Sequence, residues 1–200
     1  MKALQKLPKG YKENIFFDLQ KDKKLFLLVN GLSLGIVLLM VVPMLFIIPI
    51  TKTFDFSGSL WMVLLKLGTM SVSAIAYLFL HELVHGVAMK ICGTKKVSYG
   101  FKGVYAYAGS ADYYSKGSYI FIALAPVVLW GLVLLALSIF LPQSWFWVVY
   151  LIQLVNLSGA AGDFVVTVRF MSLPKDVLIR DEGVAMHVYS LTEKAKKTDK

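Results

Sequence analysis

Four apolar runs alternate with polar, lysine-bearing stretches along this chain, at residues 25–50, 60–86, 118–141 and 145–171. At about 1.5 Å of rise per residue, each is long enough to cross a hydrocarbon core of about 30 Å as an α-helix. Between the second and third runs the period changes. Val97, Tyr99 and Phe101 recur every second residue, Lys102-Gly103 offers a tight turn, and Val104 to Ala108 runs back with Tyr105 and Tyr107 in step. That alternation predicts a β-hairpin. Beyond Pro174 the sequence is ordinary soluble sequence. Residues 176–180 and 184–189 flank an Asp181-Glu182-Gly183 turn, which predicts a second small hairpin ahead of a lysine-rich end. The N-terminal stretch to Lys24 mixes lysines with Ile15, Phe16, Phe17 and Leu19, which suits a segment lying along a membrane interface. The expected fold class is an all-α polytopic membrane protein. Residues 1–172 form its membrane core, with the first hairpin in a loop, and residues 173–200 form a short tail.

Composition agrees with membrane insertion and narrows the partners. The hydrophobic fraction of 58% and the mean hydropathy of +0.68 exceed the roughly 45–50% apolar content of soluble domains. The first run carries no charge and no small-residue cleavage site follows it, so it reads as a retained span and not a signal peptide. A single cysteine, Cys92, excludes an internal disulfide framework and suits a small residue at a helix end. The net charge of +9 would permit nucleic-acid binding, but its distribution points elsewhere. Lysines crowd the segment before the first run, the loop after the second (Lys90, Lys95, Lys96, Lys102, Lys116) and the tail, while the other two loops hold almost none. This is the positive-inside pattern of a multi-pass cell-membrane protein with both termini in the cytoplasm. The basic surplus then meets anionic lipid of the bilayer, with no nucleic-acid partner implied.

Within the runs, Pro43 predicts a kink, Trp61 marks the outer interface and Lys66 should snorkel outward. Gly68, Ser71, Ser73, Ala74 and Ala76 permit close helix contact in the second run. Leu67, Ser71, Ala74, Leu78, His81 and His85 fall on one helical stripe, which should face protein and not lipid. The third run holds no ionisable group and is assigned to packing. The fourth begins at Trp145, Phe146, Trp147 and Tyr150 and reaches Asn156, the side-chain-poor stretch Gly159 to Gly162, and then Asp163.

The chemistry concentrates at His81-Glu82-Leu83-Val84-His85. Residues four apart share a helix face, so both imidazoles can offer a nitrogen to one cation while Glu82 flanks it. Asp163 is the other carboxylate buried in apolar sequence, and counting down from the outer ends of its span and of theirs puts it at a similar depth. Catalytic zinc takes three protein ligands and a water. His81, His85 and Asp163 supply the three, Zn2+ is the expected cofactor, and Glu82 is placed to act as general base on that water. Asn156 can hold a substrate backbone or bond a neighbouring helix. His187, alone in the tail, is expected to be exposed.

These residues resemble the site-2 protease class of intramembrane zinc metalloproteases, through the His-Glu-x-x-His helix, the basic loop with its hairpin, and Asn156 with Gly162-Asp163 in a later span. More closely, the chain is similar to the family of small bacterial membrane proteins known as putative zincin peptidases, including the tail around Pro174 and the Asp181-Glu182-Gly183 turn. The resemblance implies zinc on His81, His85 and Asp163, Glu82 as base, and a hairpin that pairs with an unwound membrane-protein or peptide substrate. It departs from the site-2 pattern, which has a Pro-rich approach and a Leu before an Asp-Gly pair, in reading Gly162-Asp163-Phe164, and it has no PDZ-like insertion. Competing readings are a metal transporter or metal-binding scaffold using the same ligands without hydrolysis, a zincin whose third ligand is a later glutamate such as Glu182 or Glu193, and an enzyme that has kept its ligands but lost turnover.

Overall fold

The structure, a computed structural model, describes residues 2–103, 105–183 and 185–192. Val104, Val184 and the lysine-rich end with Glu193 lie outside the described residues. In chain order the elements are β1 (Tyr11–Asp18), α1 (Lys23–Ile47), α2 (Leu60–Ile91), β2 (Ser98–Lys102), β3 (Tyr105–Gly109), β4 (Tyr113–Ser115), α3 (Lys116–Phe140), α4 (Phe146–Gly159), α5 (Ala161–Met171), β5 (Leu178–Asp181) and β6 (Ala185–Leu191). Helices α1, α2 and α3 are each long and apolar enough to cross a membrane, and α4 with α5 passes the same test as one broken span. The break falls at Ala160, within the run of small residues where little side-chain bulk holds a helix together.

The chain divides into two compact units, one of Met1–Leu28, Glu82–Ala125 and Gly162–Lys200, the other of Val29–His81 and Pro126–Ala161.

The second unit is apolar helix. Its helices turn large apolar side chains outward, Leu39 and Phe46 of α1 among them, a surface that water penalises and lipid does not. Inside, Trp147 and Val148 of α4 pack on Phe54 and Val63. The Thr53 hydroxyl accepts the backbone N–H of Trp147 at 3.2 Å, filling one of the orphan donors at the start of α4. Lys66 does not snorkel as expected. It is buried, donates to the Thr53 carbonyl at 2.8 Å and lies 5.9 Å over the Trp145 ring, so a carbonyl and an aromatic face replace water around its ammonium.

The first unit corrects the all-α expectation. It holds a four-stranded antiparallel sheet of order β1-β6-β5-β4 and a separate β2-β3 hairpin. The N-terminal stretch, for which no strand was expected, forms β1 and pairs with β6. Its alternation explains why: Ile15 and Phe17 pack on the apolar cluster while Phe16 between them stays exposed, a period of two that suits a sheet with one buried face. The tail provides the two central strands, with Ile179 and Val188 at most 1% exposed. They pack with Met89 of α2, Ile122 of α3 and Phe170 of α5 in one apolar cluster. The loop hairpin appears as expected, closed by the pair Lys102 and Tyr105, with Gly103 at φ +64° taking a left-handed turn that a Cβ would strain. His187 is half-buried in β6 and not exposed. Strand β1 covers it, with Phe16 against its ring and Glu13 3.1 Å from Nδ1.

Candidate metal centre

Helix α2 buries one stripe, Val63, Lys66, Tyr77, His81, His85, Ala88 and Met89, and Cys92 just past its end is buried too. Leu67, Ser71 and Leu78, expected on the histidine face, are exposed, so the true stripe is displaced by about one position and passes through Tyr77. His81 and His85 are each 9% exposed, one turn apart on the unbroken helix.

A chain of hydrogen bonds fixes the proton on His81. Asn156 donates its amide hydrogens to the Val127 carbonyl and to Gln153 Oε1, both at 3.3 Å. A backbone carbonyl can only accept, so this orients the amide and leaves Asn156 Oδ1 facing the Tyr77 hydroxyl, which donates to it at 2.8 Å. Tyr77 has one proton and has given it. Its oxygen therefore accepts from His81 Nδ1 at 2.7 Å, and the ring presents the Nε2 lone pair.

His85 reaches the same state by another route. Its Nδ1 donates to the Ile122 carbonyl of α3 at 2.9 Å, again leaving Nε2 as the ligating nitrogen. That nitrogen lies 3.6 Å from Asp163 Oδ1. A nitrogen lone pair and a carboxylate oxygen facing each other repel unless a proton or cation lies between them. Asp163 sits in the first turn of α5, where the helix dipole favours an anion, and its place there follows from the break at Ala160 that starts a new helix.

One ligand atom each from His81, His85 and Asp163 lies within 4.8 Å of the others. Bond lengths of about 2.0–2.2 Å in a tetrahedral site put ligands about 3.3 Å apart, so this spacing suits a cation after slight contraction. The donor set fits zinc: two neutral imidazoles and a carboxylate, with room in the coordination sphere for water. Glu82, half-buried on the next residue of α2, is not a member of that cluster.

Asn156 is fully buried and its amide is committed to Tyr77, Val127 and Gln153, so it stands behind His81. Sequence reasoning missed Tyr77, although its spacing of four before His81 was available. It also missed α3, read as packing alone, which contributes the Ile122 carbonyl. Two further contacts belong to the first unit. A Cβ on Gly86, beside His85, would overlap the Tyr99 phenol, so the tip of this β2 side chain reaches that turn of α2. Asp181, read from sequence as part of a turn, is buried and accepts from the Tyr119 hydroxyl at 2.6 Å. Burial pushes its carboxyl up to about 7, against the bonds from Tyr119 and the Gly183 N–H that favour the ionised form.

A family model described as "Putative zincin peptidase" matches residues 74–178, a range that contains His81, Glu82, His85, Asn156 and Asp163. No curated protein and no solved structure matches the chain.

Proposed function

The chain belongs to this zincin peptidase family, and from that premise we propose that it is an intramembrane zinc endopeptidase cutting peptide bonds near the cytoplasmic face of the cell membrane. The observation that carries the reading is the shared tautomer: both imidazoles of α2 give their Nδ1 proton to the protein, and Asp163 Oδ1 lies 3.6 Å from the ligating nitrogen of His85. His81, His85 and Asp163 hold the metal. When bound, zinc supplies a Lewis acid that polarises the scissile carbonyl and lowers the pKa of a bound water to about 7. Glu82 takes the proton of the attacking water and returns it to the leaving amine. The β2 edge, whose Tyr99 reaches α2 beside His85, offers backbone donors and acceptors to an extended substrate. Asn156 acts through Tyr77 in holding His81. The lysine distribution supports cytoplasmic termini, and the apolar helices support the membrane setting.

Elemental analysis of detergent-purified wild type, Glu82→Gln and Asp163→Ala, run beside a cleavage assay on a single-pass membrane substrate, tests this reading. One zinc in wild type and in Glu82→Gln, with most of it lost in Asp163→Ala and cleavage only in wild type, supports it. Full zinc in Asp163→Ala removes Asp163 from the ligand set. Zinc in wild type without cleavage of any single-pass or unfolded substrate favours the metal-binding scaffold or transporter.

A further inference from the structure

The Ile122 carbonyl that holds His85 ought not to be available. In an α-helix the oxygen of residue 122 is bonded by the N–H of residue 126, four positions on. Residue 126 is a proline within α3, with no N–H to give, and a proline ring in a helix crowds the carbonyl four residues earlier and tilts it away from the axis. An orphan carbonyl in apolar surroundings is costly, and in α3 the apolar surroundings are continuous on both sides of it. His85 has the complementary need: its Nδ1–H must be bonded if Nε2 is to serve as a ligand, and the 2.9 Å contact meets both needs at once.

We propose that Pro126 is a positioning residue of the metal centre, acting through the Ile122 carbonyl to hold the proton of His85 on Nδ1. The proposal rests on the metal-binding reading of His81, His85 and Asp163, but it concerns a residue with no ligand atom of its own. It also gives the third span, otherwise packing alone, a share in the chemistry. With an ordinary residue at 126 the carbonyl would be shared with a helical N–H in line with the axis, and the bond to His85 would lengthen or be lost.

The test compares three full-length proteins in detergent: wild type, Pro126→Ala, and a chain carrying lactic acid at position 126, whose ester linkage lacks an N–H as proline does. Supporting partners behind a metal-bound histidine are typically worth 10–100-fold in affinity, so Pro126→Ala should raise the Kd for zinc about tenfold. The lactic acid chain should return most of that loss. A second readout needs no metal: nitrogen-15 spectra of the zinc-free proteins should show a hydrogen-bonded proton on His85 Nδ1 in wild type, whatever Nε2 shares with Asp163, and a weakened or partly lost one in Pro126→Ala. Unchanged zinc affinity and Nδ1 proton in Pro126→Ala, or identical behaviour of the alanine and lactic acid chains, would overturn the proposal. If the alanine chain does not fold, wild type and the lactic acid chain decide: a His85 Nδ1 that carries no exchange-protected proton in either refutes it, and one that is protected in both supports it. If wild type binds no zinc, the metal reading fails, while the Nδ1 comparison still judges Pro126 separately.

Discussion

The hydroxyl of Tyr77 and the amide oxygen of Asn156 are joined by a 2.8 Å hydrogen bond, and that bond determines which nitrogen of His81 carries the proton. Tyr77→Phe removes the oxygen that accepts from His81 Nδ1 and strands the Asn156 carbonyl. The stranded group should cost about 1–3 kcal/mol of stability. Zinc affinity should fall 10–100-fold, because His81 is then free to hold its proton on the ligating nitrogen. Competition against a chromophoric chelator measures the affinity, and an unchanged Kd would remove Tyr77 from the site. Asn156→Asp should do comparable damage by setting a carboxylate oxygen against the Val127 carbonyl.

Gly86 and Tyr99 make a second testable pair. Alanine at 86 would gain about 0.5–1 kcal/mol of helix propensity but would drive a Cβ into the Tyr99 ring. Tyr99 stands on an exposed hairpin and can swing aside, so the cost falls on the seating of β2 and not on global stability. Gly86→Ala should therefore leave zinc content and melting temperature nearly unchanged and reduce cleavage several-fold. In a Tyr99→Ala background the same change should have no further effect on cleavage. Additive losses in that double-mutant cycle would show that the two positions do not communicate.

The long apolar runs were legible because a membrane-length helix needs only its own composition, and α1, α2 and α3 begin and end within a few residues of the expected limits. The β2-β3 hairpin was legible for a similar reason: period two and a turn glycine are local signals. Strand β1 was not, because its partner β6 lies at the far end of the chain and pairing over that distance leaves no local mark. The lysines that flank Ile15 and Phe17 made the segment look interfacial. At the site, residue types gave His81, His85 and Asp163, while the supports behind them depend on which helix turns toward which. The Ile122 carbonyl has no side-chain signature at all, and its only trace in the sequence is the proline four residues later.

The tail should prove structural. Strands β5 and β6 are the inner pair of the four-stranded sheet, so ending the chain at Val177 would leave β1 and β4 without partners and open the cluster around Ile122 and Phe170. That truncation should abolish a monodisperse peak in size-exclusion chromatography. Ile179→Ala, a milder change at a fully buried position, should cost about 2–5 kcal/mol. A truncated protein that elutes and melts as wild type does would make the tail an appendage.

Asp181 links stability to pH. Its carboxyl is raised from 3.8 to about 7 in the fold, first by burial, so the folded state holds a proton that the unfolded chain releases. Stability from this neutral carboxyl is complete below about pH 4, and it is lost as pH rises through about 7, where ionisation places a charge in a buried setting. Asp181→Asn keeps the shape and cannot ionise, and it can still accept from the Tyr119 hydroxyl. The zinc-free wild type should therefore lose stability relative to Asp181→Asn between about pH 4 and pH 7, with the gap widest above 7. Denaturation midpoints of both proteins across that range give the measurement. Parallel curves would mean that Asp181 is ionised in the fold at every pH tested, as it would be if a nearby cation balanced its charge. Added zinc should stabilise both proteins more as pH rises, because its histidine ligands must be deprotonated to bind it, so the comparison belongs to the zinc-free proteins.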